Sequence, residues 1–438
     1  MNINAFVHEF TWGDLPEAVR HQARRCLLDT IGAGIGGRLT DLSRIVHEFA
    51  AGAFGGRGAH LWLDGREVSP PGAALANGMT IDALDIHDGY APVKGHAGAA
   101  LVPALFATLN LGEGLISGRE LLTSLVVGYE IACRAGLALH ATACDYHTSG
   151  AWNALGCAAL TARRLGLSAE QTRHALGIAE YHGPRSQMMR CIDHPTMLKD
   201  GSGWGAMAGV SAALLARTGF TGAPALTVEA ENVAHFWTDL GVEWLIKDQY
   251  FKPYAVCYWA QPAIAGTLAI QRRHQLPVES IRAIRVHTFH EATRLAARQP
   301  QTTEEAQYSL PFPVAAALVH QQLGPAELSG PALRDARVLS VAERVQLIED
   351  AEYCSRFPRE RLARVEVVTE AGATFDSGAM IPRWFPTQPP SDDDLREKFR
   401  WLAMSGLPGA RVAALEDQLW NCADLPDATG LLEALTQP

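Results

Sequence analysis

The chain has 438 residues, of which 48% are hydrophobic and 19% are charged, and its formal net charge is −10 at pH 7. This composition indicates a globular protein with a large core and excludes an intrinsically disordered one. At an average of about 150 residues per domain, the length predicts two or three domains. The acidic balance argues against a nucleic-acid partner, which needs a basic protein face, but it allows a small anionic ligand in a locally basic pocket.

The N-terminal segment shows no targeting signal. Residues 1–22 lack the basic start, apolar middle and small-residue cleavage site of a signal peptide, and no run in the chain approaches about 18 consecutive apolar residues. We therefore expect a cytoplasmic protein without a membrane partner. The eight cysteines include no C-x-x-C pair, which predicts buried free thiols and not an iron–sulfur cluster.

The first 260 residues have mostly helical patterns. Apolar residues recur at helical spacing in residues 19–34, 119–137, 151–165 and 205–217. Ser168 and Gln171 predict a capping box for a further helix through Ala179. The many small residues in these segments predict helices that pack closely. The segment GAGIGG at 32–37 matches the dinucleotide fingerprint in form, but it follows a helical pattern, so we expect a tightly packed helix end there and no nucleotide site.

The pattern changes after about residue 263. Alternating residues at 281–289, 364–368 and 374–379 predict strands, with a turn at 370–373, whereas 313–322 and 341–348 have helical patterns. Helix resumes at Ser391, which precedes three acidic residues, and 410–435 is also helical. We therefore predict a mostly α protein with a helical domain at 1–265, a smaller α+β domain at 266–388 and C-terminal helices at 389–438.

The segment with the most potential for acid–base chemistry is 83–105, between two apolar helical patterns. Its titratable residues are Asp85, His87, Asp88, Tyr90, Lys94 and His96. The alternatives are an ordinary surface loop and, because Asp and His also bind metals, a metal site. The spacing matches no metal motif, however, and we expect no metal.

Three further clusters place a His or a Lys in irregular sequence near a helix. Tyr146 and His147 precede a helix whose N-terminus could bind an anion. Lys199 lies in a glycine-rich approach to a small-residue helix and could bind a carboxylate as a point charge. Lys252 lies in an aromatic-rich turn. Each also fits an ordinary structural role, such as a capping His or a solvated Lys.

Taken together, the clusters resemble the MmgE/PrpD family, which includes 2-methylcitrate dehydratase, cis-aconitate decarboxylase and iminodisuccinate epimerase. The resemblance extends from near Leu27 to about residue 320 and rests on five segments in this order: ALDIHDGY with GHAGAALVPAL, YHTSGAWNALG, MLKDGSGWGAMAG, KPYAVCYWAQPAI and EAQYSLPFPVAAALV. It implies a large all-helical domain, a smaller α+β lid domain, C-terminal helices that pack back on the first domain, and a homodimer. It also implies cofactor-free chemistry on a small carboxylate in the cleft between the domains.

The resemblance also implies the site residues. The positions that match its catalytic motifs are Asp85, His96, His147, Lys199 and Lys252. Lys199 and Lys252 would stabilise a carbanion next to a carboxylate as its charge develops. His96 or His147 would be the base, and the other histidine would protonate a departing hydroxyl. Asp85 would hold one imidazole in the useful tautomer.

Five neighbouring positions are expected to contact the substrate: Asp88, Tyr90, Tyr146, Ser202 and Cys257. Some positions depart from the family. Ser202 lies near a site that is often His, and Cys257 falls where the decarboxylase pattern has His. Gly89 lies near the position where the decarboxylase pattern has Thr. The residues after His96 differ from those at the same place in the 2-methylcitrate dehydratases. These departures affect substrate contacts and leave the identity of the acid open.

We expect a hydro-lyase that dehydrates a 2-methylcitrate-like hydroxy acid without a cofactor. Family resemblance and the missing iron–sulfur spacing together support this expectation. The alternatives are decarboxylation of a cis-aconitate-like acid and epimerisation of an amino-dicarboxylate such as iminodisuccinate, which would use the same base and cations. An alternative of another class is a catalytically silent protein that only binds carboxylates.

Overall fold

A computed structural model describes residues 2–112 and 114–437. It is 59% helical with 9% strand, and it confirms a mostly α fold with a large helical region and a smaller mixed region. The helices up to residue 229 are α1 (Ile3–Glu9), α2 (Glu17–Gly37), α3 (Asp41–Ala53), α4 (Pro70–Asp82), α5 (Gly98–Thr108), α6 (Gly118–Thr142), α7 (Gly150–Leu165), α8 (Ala169–His182), α9 (Met189–Asp193), α10 (Ser202–Arg217) and α11 (Leu226–Glu229).

The later helices alternate with strands and then close the chain. They are α12 (Gln261–His274), α13 (His290–Thr293), α14 (Thr303–Gln307), α15 (Pro311–His320), α16 (Ala336–Ala342), α17 (Ala351–Arg356), α18 (Asp392–Ala403), α19 (Gly409–Trp420) and α20 (Thr429–Thr436). The strands are β1 (Ala59–His60), β2 (Glu67–Val68), β3 (Gly89–Tyr90), β4 (Gln249–Tyr250), β5 (Ile281–Thr288), β6 (Val345–Glu349), β7 (Ala363–Thr369) and β8 (Thr374–Met380).

Small residues let the central helices approach closely, as predicted. Helix α10 packs between α7 and α4. A Cβ on Gly205 would lie 2.7 Å from the Gly150 carbonyl oxygen, and one on Gly203 would lie 2.5 Å from the Leu75 oxygen. Larger side chains at these two positions would therefore push the helices apart. The capping box that starts α8 is also formed, since Ser168 and Gln171 exchange side-chain-to-backbone hydrogen bonds.

The glycine-rich segment at 32–37 lies inside α2 and packs closely, as expected. A Cβ on Gly37 would lie 2.0 Å from the Thr80 oxygen, and one on Gly34 would lie 2.8 Å from the Trp62 ring. Helix α6 is long and apolar enough to cross a membrane, but 94% of its apolar window is buried inside the protein, which also fits a core helix. All eight cysteines are free and six are buried, whereas Cys144 is exposed and Cys354 is half-buried.

The main sheet has the order β6-β5-β7-β8. Strand β5 pairs in parallel with β6 and antiparallel with β7, so Val286 lies opposite both Leu347 and Val365. The prediction of helix over 341–348 is wrong, because α16 ends at Ala342 and β6 begins at Val345. Pairing with β5, some 60 residues earlier in the chain, decides this segment, and no local pattern contains that contact.

The C-terminal helices pack against α2. Ser391 caps α18 through a capping box with Asp394, as its sequence predicts. A break near residues 421–428 divides the predicted helix over 410–435 into α19 and α20. Helix α12 crosses the predicted boundary at 265 and packs on β7 and β8. The domain boundaries at 265 and 388 stay predictions.

Candidate active site

The loop between α4 and α5 forms one wall of a small buried cavity. Its backbone is held by β3, which pairs with β4, and by the Tyr90 amide, which donates to the Gly95 oxygen at 2.8 Å. Asp85 and Lys94 both have positive φ, at 47° and 54°. Such conformations are unfavourable for these residue types and concentrate where function requires them. The loop is therefore specified by tertiary contacts and not by local preference.

His96 lies at the centre of this wall. Its Nδ1 lies 2.6 Å from the Asp88 backbone oxygen, which can only accept, so Nδ1 carries the proton and Nε2 keeps its lone pair. Burial lowers the pKa of His96 well below 6.5, and the nearby Lys252 charge lowers it further. The Ser149 hydroxyl accepts from the His96 amide at 2.9 Å, and Asn153 donates to the His96 carbonyl at 2.7 Å. The ring is thus a neutral base in a fixed position.

Asp85 pairs with Lys252 and does not orient His96. The Lys252 ammonium donates to the Asp85 carboxylate at 2.5 Å and to its backbone oxygen at 3.0 Å. The Asp85 carboxylate is 3.9 Å from His96 Nε2. The sequence-based expectation that Asp85 sets the tautomer is therefore wrong for this structure, because the Asp88 carbonyl contacts Nδ1 directly.

Lys199, in the approach to α10, lines a separate cavity of about 330 Å³ and contacts the wall of the His96 cavity at Tyr308. Its backbone is left-handed, with φ of 49°, and its side chain is buried. The ammonium donates to the Gln307 side-chain oxygen and lies 5.3 Å from the centre of the Tyr308 ring. Burial lowers its pKa, against the opposing effect of the Asp85 charge. No carboxylate within the described residues forms an ion pair with Lys199.

Asp200 follows Lys199 and contributes a buried carboxyl group to the cavity wall. Its Oδ2 accepts from the Ser149 hydroxyl, whereas Oδ1 has no hydrogen-bond partner in the described protein. Burial, together with the Asp82 charge, raises its pKa well above 3.8, which favours the neutral acid. The pKa of Asp82, by contrast, is lowered. Burial would raise it, but His87 Nε2 lies 3.1 Å from the Asp82 carboxylate and favours the charged form.

His147 does not reach the cavity that contains His96. Its Nδ1 contacts the Asp145 backbone oxygen at 2.8 Å, and it lines a separate open cavity of about 600 Å³ with Cys144, Glu180 and Arg185. The resemblance implied two histidines at one site, but the structure brings only His96 to it. Tyr146, the residue before, does line the His96 cavity, and its hydroxyl donates to the Lys94 oxygen.

Three of the five expected substrate contacts lie outside the cavity. Asp88 is buried behind it, where Tyr129 donates to its carboxyl at 2.9 Å and burial raises its pKa to about 7. Tyr90 lines a neighbouring cavity, and Ser202 is buried at the start of α10. Cys257 lines the cavity as expected, and burial raises the pKa of its thiol to about 12.

The departure at Gly89 has a structural reason. A Cβ there would lie 2.5 Å from the Tyr250 ring and 2.8 Å from His96 Nδ1. Tyr250 therefore occupies the space that a side chain at position 89 would need. Its ring also meets His96 edge to face at 6.0 Å and stacks on Tyr258 at 3.8 Å.

The cavity has a volume of about 30 Å³, which is about the space of one water molecule. Its wall includes residues that the sequence reasoning did not assign: Lys94, Asp200, Tyr250, Tyr258, Trp259, Tyr308 and Arg361. Lys94 was named among the titratable residues of 83–105 without a role, and Asp200 directly follows Lys199, so both could have been assigned. Arg361 lies outside the recognised motifs, and no pattern in the sequence marks it as a site residue. Among residues 2–112 and 114–437, no group of three or more His, Cys, Asp or Glu is arranged to hold a metal ion.

Comparisons with known proteins agree with the resemblance. The MmgE/PrpD N-terminal domain matches residues 1–239, and the MmgE/PrpD C-terminal domain matches residues 254–422. A cis-aconitate decarboxylase-like protein (oryM) of Aspergillus oryzae is 25% identical over 98% of this chain and 96% of its own length. The cis-aconitate decarboxylase of Homo sapiens is 26% identical over 99% and 93%, and that of Aspergillus terreus is 25% identical over 97% and 93%.

Proposed function

Because the chain belongs to the MmgE/PrpD family, we propose that it is a lyase acting on a small di- or tricarboxylate by proton transfer next to a carboxylate. The main observation in support is the state of His96, whose Nδ1 is held by a carbonyl and whose Nε2 lone pair is free. A neutral imidazole inside a closed cavity is a suitable base for a carbon acid.

Two buried lysines, Lys199 and Lys252, could stabilise a carbanion by binding the carboxylate next to it. Lys199 has no acidic partner in the described part of the chain, whereas the charge of Lys252 is offset by Asp85. Lys199 is therefore the better candidate to bind the carboxylate that accumulates charge. A preorganised donor of this kind contributes roughly 3 kcal/mol to lowering the barrier.

Asp200 is the candidate proton donor, in place of the second histidine. Its neutral carboxyl group and the basic His96 share one cavity, and the environment moves their pKa values in opposite directions. In a dehydration, His96 Nε2 takes the proton as the C–H bond breaks. The C–O bond then breaks, the departing hydroxide takes the Asp200 proton, and water leaves as the double bond forms. This pairing favours dehydration of a 2-methylcitrate-like acid.

Decarboxylation of a cis-aconitate-like acid is the second candidate, because the relatives reported above are named for that reaction. Here the C–C bond to one carboxylate breaks, carbon dioxide leaves, and the electron pair stays on the carbon. The proton of Asp200 then passes to that carbon. The same acid and cations serve this reaction, but it abstracts no proton and needs no base, so only the dehydration uses both His96 and Asp200.

We would test the proposal with citrate, 2-methylcitrate, cis-aconitate and iminodisuccinate, followed by NMR in heavy water. Wild type should convert one of these acids: a decarboxylation puts one deuterium on the product carbon, whereas a dehydration puts deuterium only into substrate that re-forms after proton abstraction. His96→Gln should lose at least about 100-fold in kcat, since a positioned base contributes at least that much. His147→Gln should keep most of the activity, because its ring lies in another cavity.

The labelling separates the competing functions. A silent carboxylate binder would neither convert any acid nor exchange its carbon-bound protons. Full activity of a folded His96→Gln variant would show that another group is the base. Loss of activity in the His147→Gln variant alone would show that the second histidine reaches the site during turnover.

A further inference from the structure

Two cations on the cavity wall remain without an acidic partner. Arg361, just before β7, is only 4% exposed, and Lys94, in the loop before α5, is half-buried. Neither forms an ion pair with any described residue. The two carboxyl groups on the wall have other partners, since Asp85 pairs with Lys252 and Asp200 accepts from the Ser149 hydroxyl.

The Arg361 guanidinium has unused donors. Its Nη2 donates to the Ala91 oxygen at 3.0 Å, its plane lies 5.8 Å from the centre of the Phe357 ring, and its Nε has no hydrogen-bond partner in the described protein. Burying a charged group without a counter-ion is unfavourable unless a ligand supplies one. A guanidinium fork suits a carboxylate in particular.

Lys94 lines the same cavity from the loop between α4 and α5, in the helical region. Its ammonium lies 4.7 Å from the centre of the Tyr146 ring, and its left-handed backbone fixes the direction of the side chain. Lys94 and Arg361 line the same small cavity, so their charges repel each other. Burial and the charge of Arg361 accordingly both lower the pKa of Lys94. Glu291 acts on Lys94 only as a weaker, opposing charge. An anion between the two cations would relieve this repulsion.

We infer that Lys94 and Arg361 form a second carboxylate subsite, which binds a substrate carboxylate remote from the one held by Lys199. This inference rests on the proposed function and names the residues that would bind the second carboxylate of the di- or tricarboxylate substrate. One cation comes from the helical region and the other from the mixed region, so a bound carboxylate also links the two regions across the cavity.

The test uses tricarballylate (propane-1,2,3-tricarboxylate) as the probe and isothermal titration calorimetry at constant ionic strength. Arg361→Gln and Lys94→Gln should each weaken binding tenfold or more. The matched control is Arg359→Gln, which removes the same charge two residues away from an exposed side chain. It should change the affinity less than threefold. Equal affinities of wild type and both cavity variants, or no binding to wild type, would overturn the inference.

Thermal melting separates a ligand-binding role from a structural one. Without ligand, Arg361→Gln should melt at or above the wild-type temperature, because the unpaired buried charge is gone. With tricarballylate, wild type should be stabilised and the variant should not. A variant that melts well below wild type without ligand, while Lys94→Gln binds normally, would assign Arg361 a structural role. A third outcome separates the two proposals. If both cavity variants lose tricarballylate binding but wild type converts none of the acids in the panel, the proposed function is refuted and the subsite stands.

Discussion

At the scale of single residues, the environment of each titratable group decides its role. His96 and Asp200 are both buried, and burial favours the neutral form of each. Neutral imidazole is a base and neutral carboxyl is an acid, so the same physical effect produces a complementary pair. Ser149 connects them, since it accepts from the His96 amide and donates to the Asp200 carboxyl.

The pair predicts a bell-shaped pH profile of kcat/KM. Activity should rise as the pH passes the lowered pKa of His96, below 6.5, because the base must be unprotonated. It should fall as the pH passes the raised pKa of Asp200, because the acid must keep its proton. Asp200→Asn should lower the maximum about 10²–10⁴-fold and remove the alkaline limb. An unchanged alkaline limb in this variant would assign it to another group.

At the scale of elements, the C-terminal helix α18 contacts the loop between α4 and α5 on the side away from the cavity, through the side chain of Lys398. The Lys398 ammonium donates to the Asp29 carboxylate on α2 and to the Ile86 carbonyl in the loop, both at 2.6 Å. All three groups are buried. One side chain thus joins two helices and the segment that follows Asp85.

Lys398→Met should destabilise the protein by about 3–5 kcal/mol, because it leaves the Asp29 charge buried without a partner. The measurement is urea unfolding followed by circular dichroism. The control is the double variant Lys398→Met with Asp29→Asn, which should recover much of the loss because no unpaired charge remains. Equal destabilisation of the single and double variants would mean that packing, and not the ion pair, determines the effect.

At the scale of the whole molecule, the cavity is too small for the proposed substrates. Its volume is about 30 Å³, whereas sites for small molecules measure roughly 300–1,000 Å³. Substrate entry therefore requires the walls to separate. The Cys257 amide donates to the Gln307 oxygen, and the Phe251 amide donates to the Trp384 oxygen, so these contacts are candidates to break during opening.

Hydrogen exchange measured by mass spectrometry should report this opening. We expect the segments around Phe251, Cys257 and Arg361 to exchange faster without tricarballylate than at saturation, because a carboxylate at the second subsite joins the two regions. Peptides from β5 serve as the control and should not change, since no β5 residue lines the cavity and β5 is paired on both sides, with β6 and β7. Identical exchange with and without saturating ligand would contradict entry by opening.

The sequence by itself determined the helical core, the strands of β5, β7 and β8, and the caps of α8 and α18. Periodicity and capping act over a few residues, so they are visible locally. It also determined the family and most of the reactive segments: Asp85, His96, Lys199, Lys252, Tyr146 and Cys257 all lie at or next to the cavity.

Tertiary structure alone decided strand β6, the separation of His147 from His96, the change of partner for Asp85, and the presence of Arg361. Each depends on a contact between distant parts of the chain, such as β6 with β5 or Arg361 with the Ala91 carbonyl. The protonation states of His96 and Asp200 follow from burial, which is a property of the folded surroundings. The sequence therefore identified the family and its motifs, and only the packing of distant segments decided which residues share the cavity.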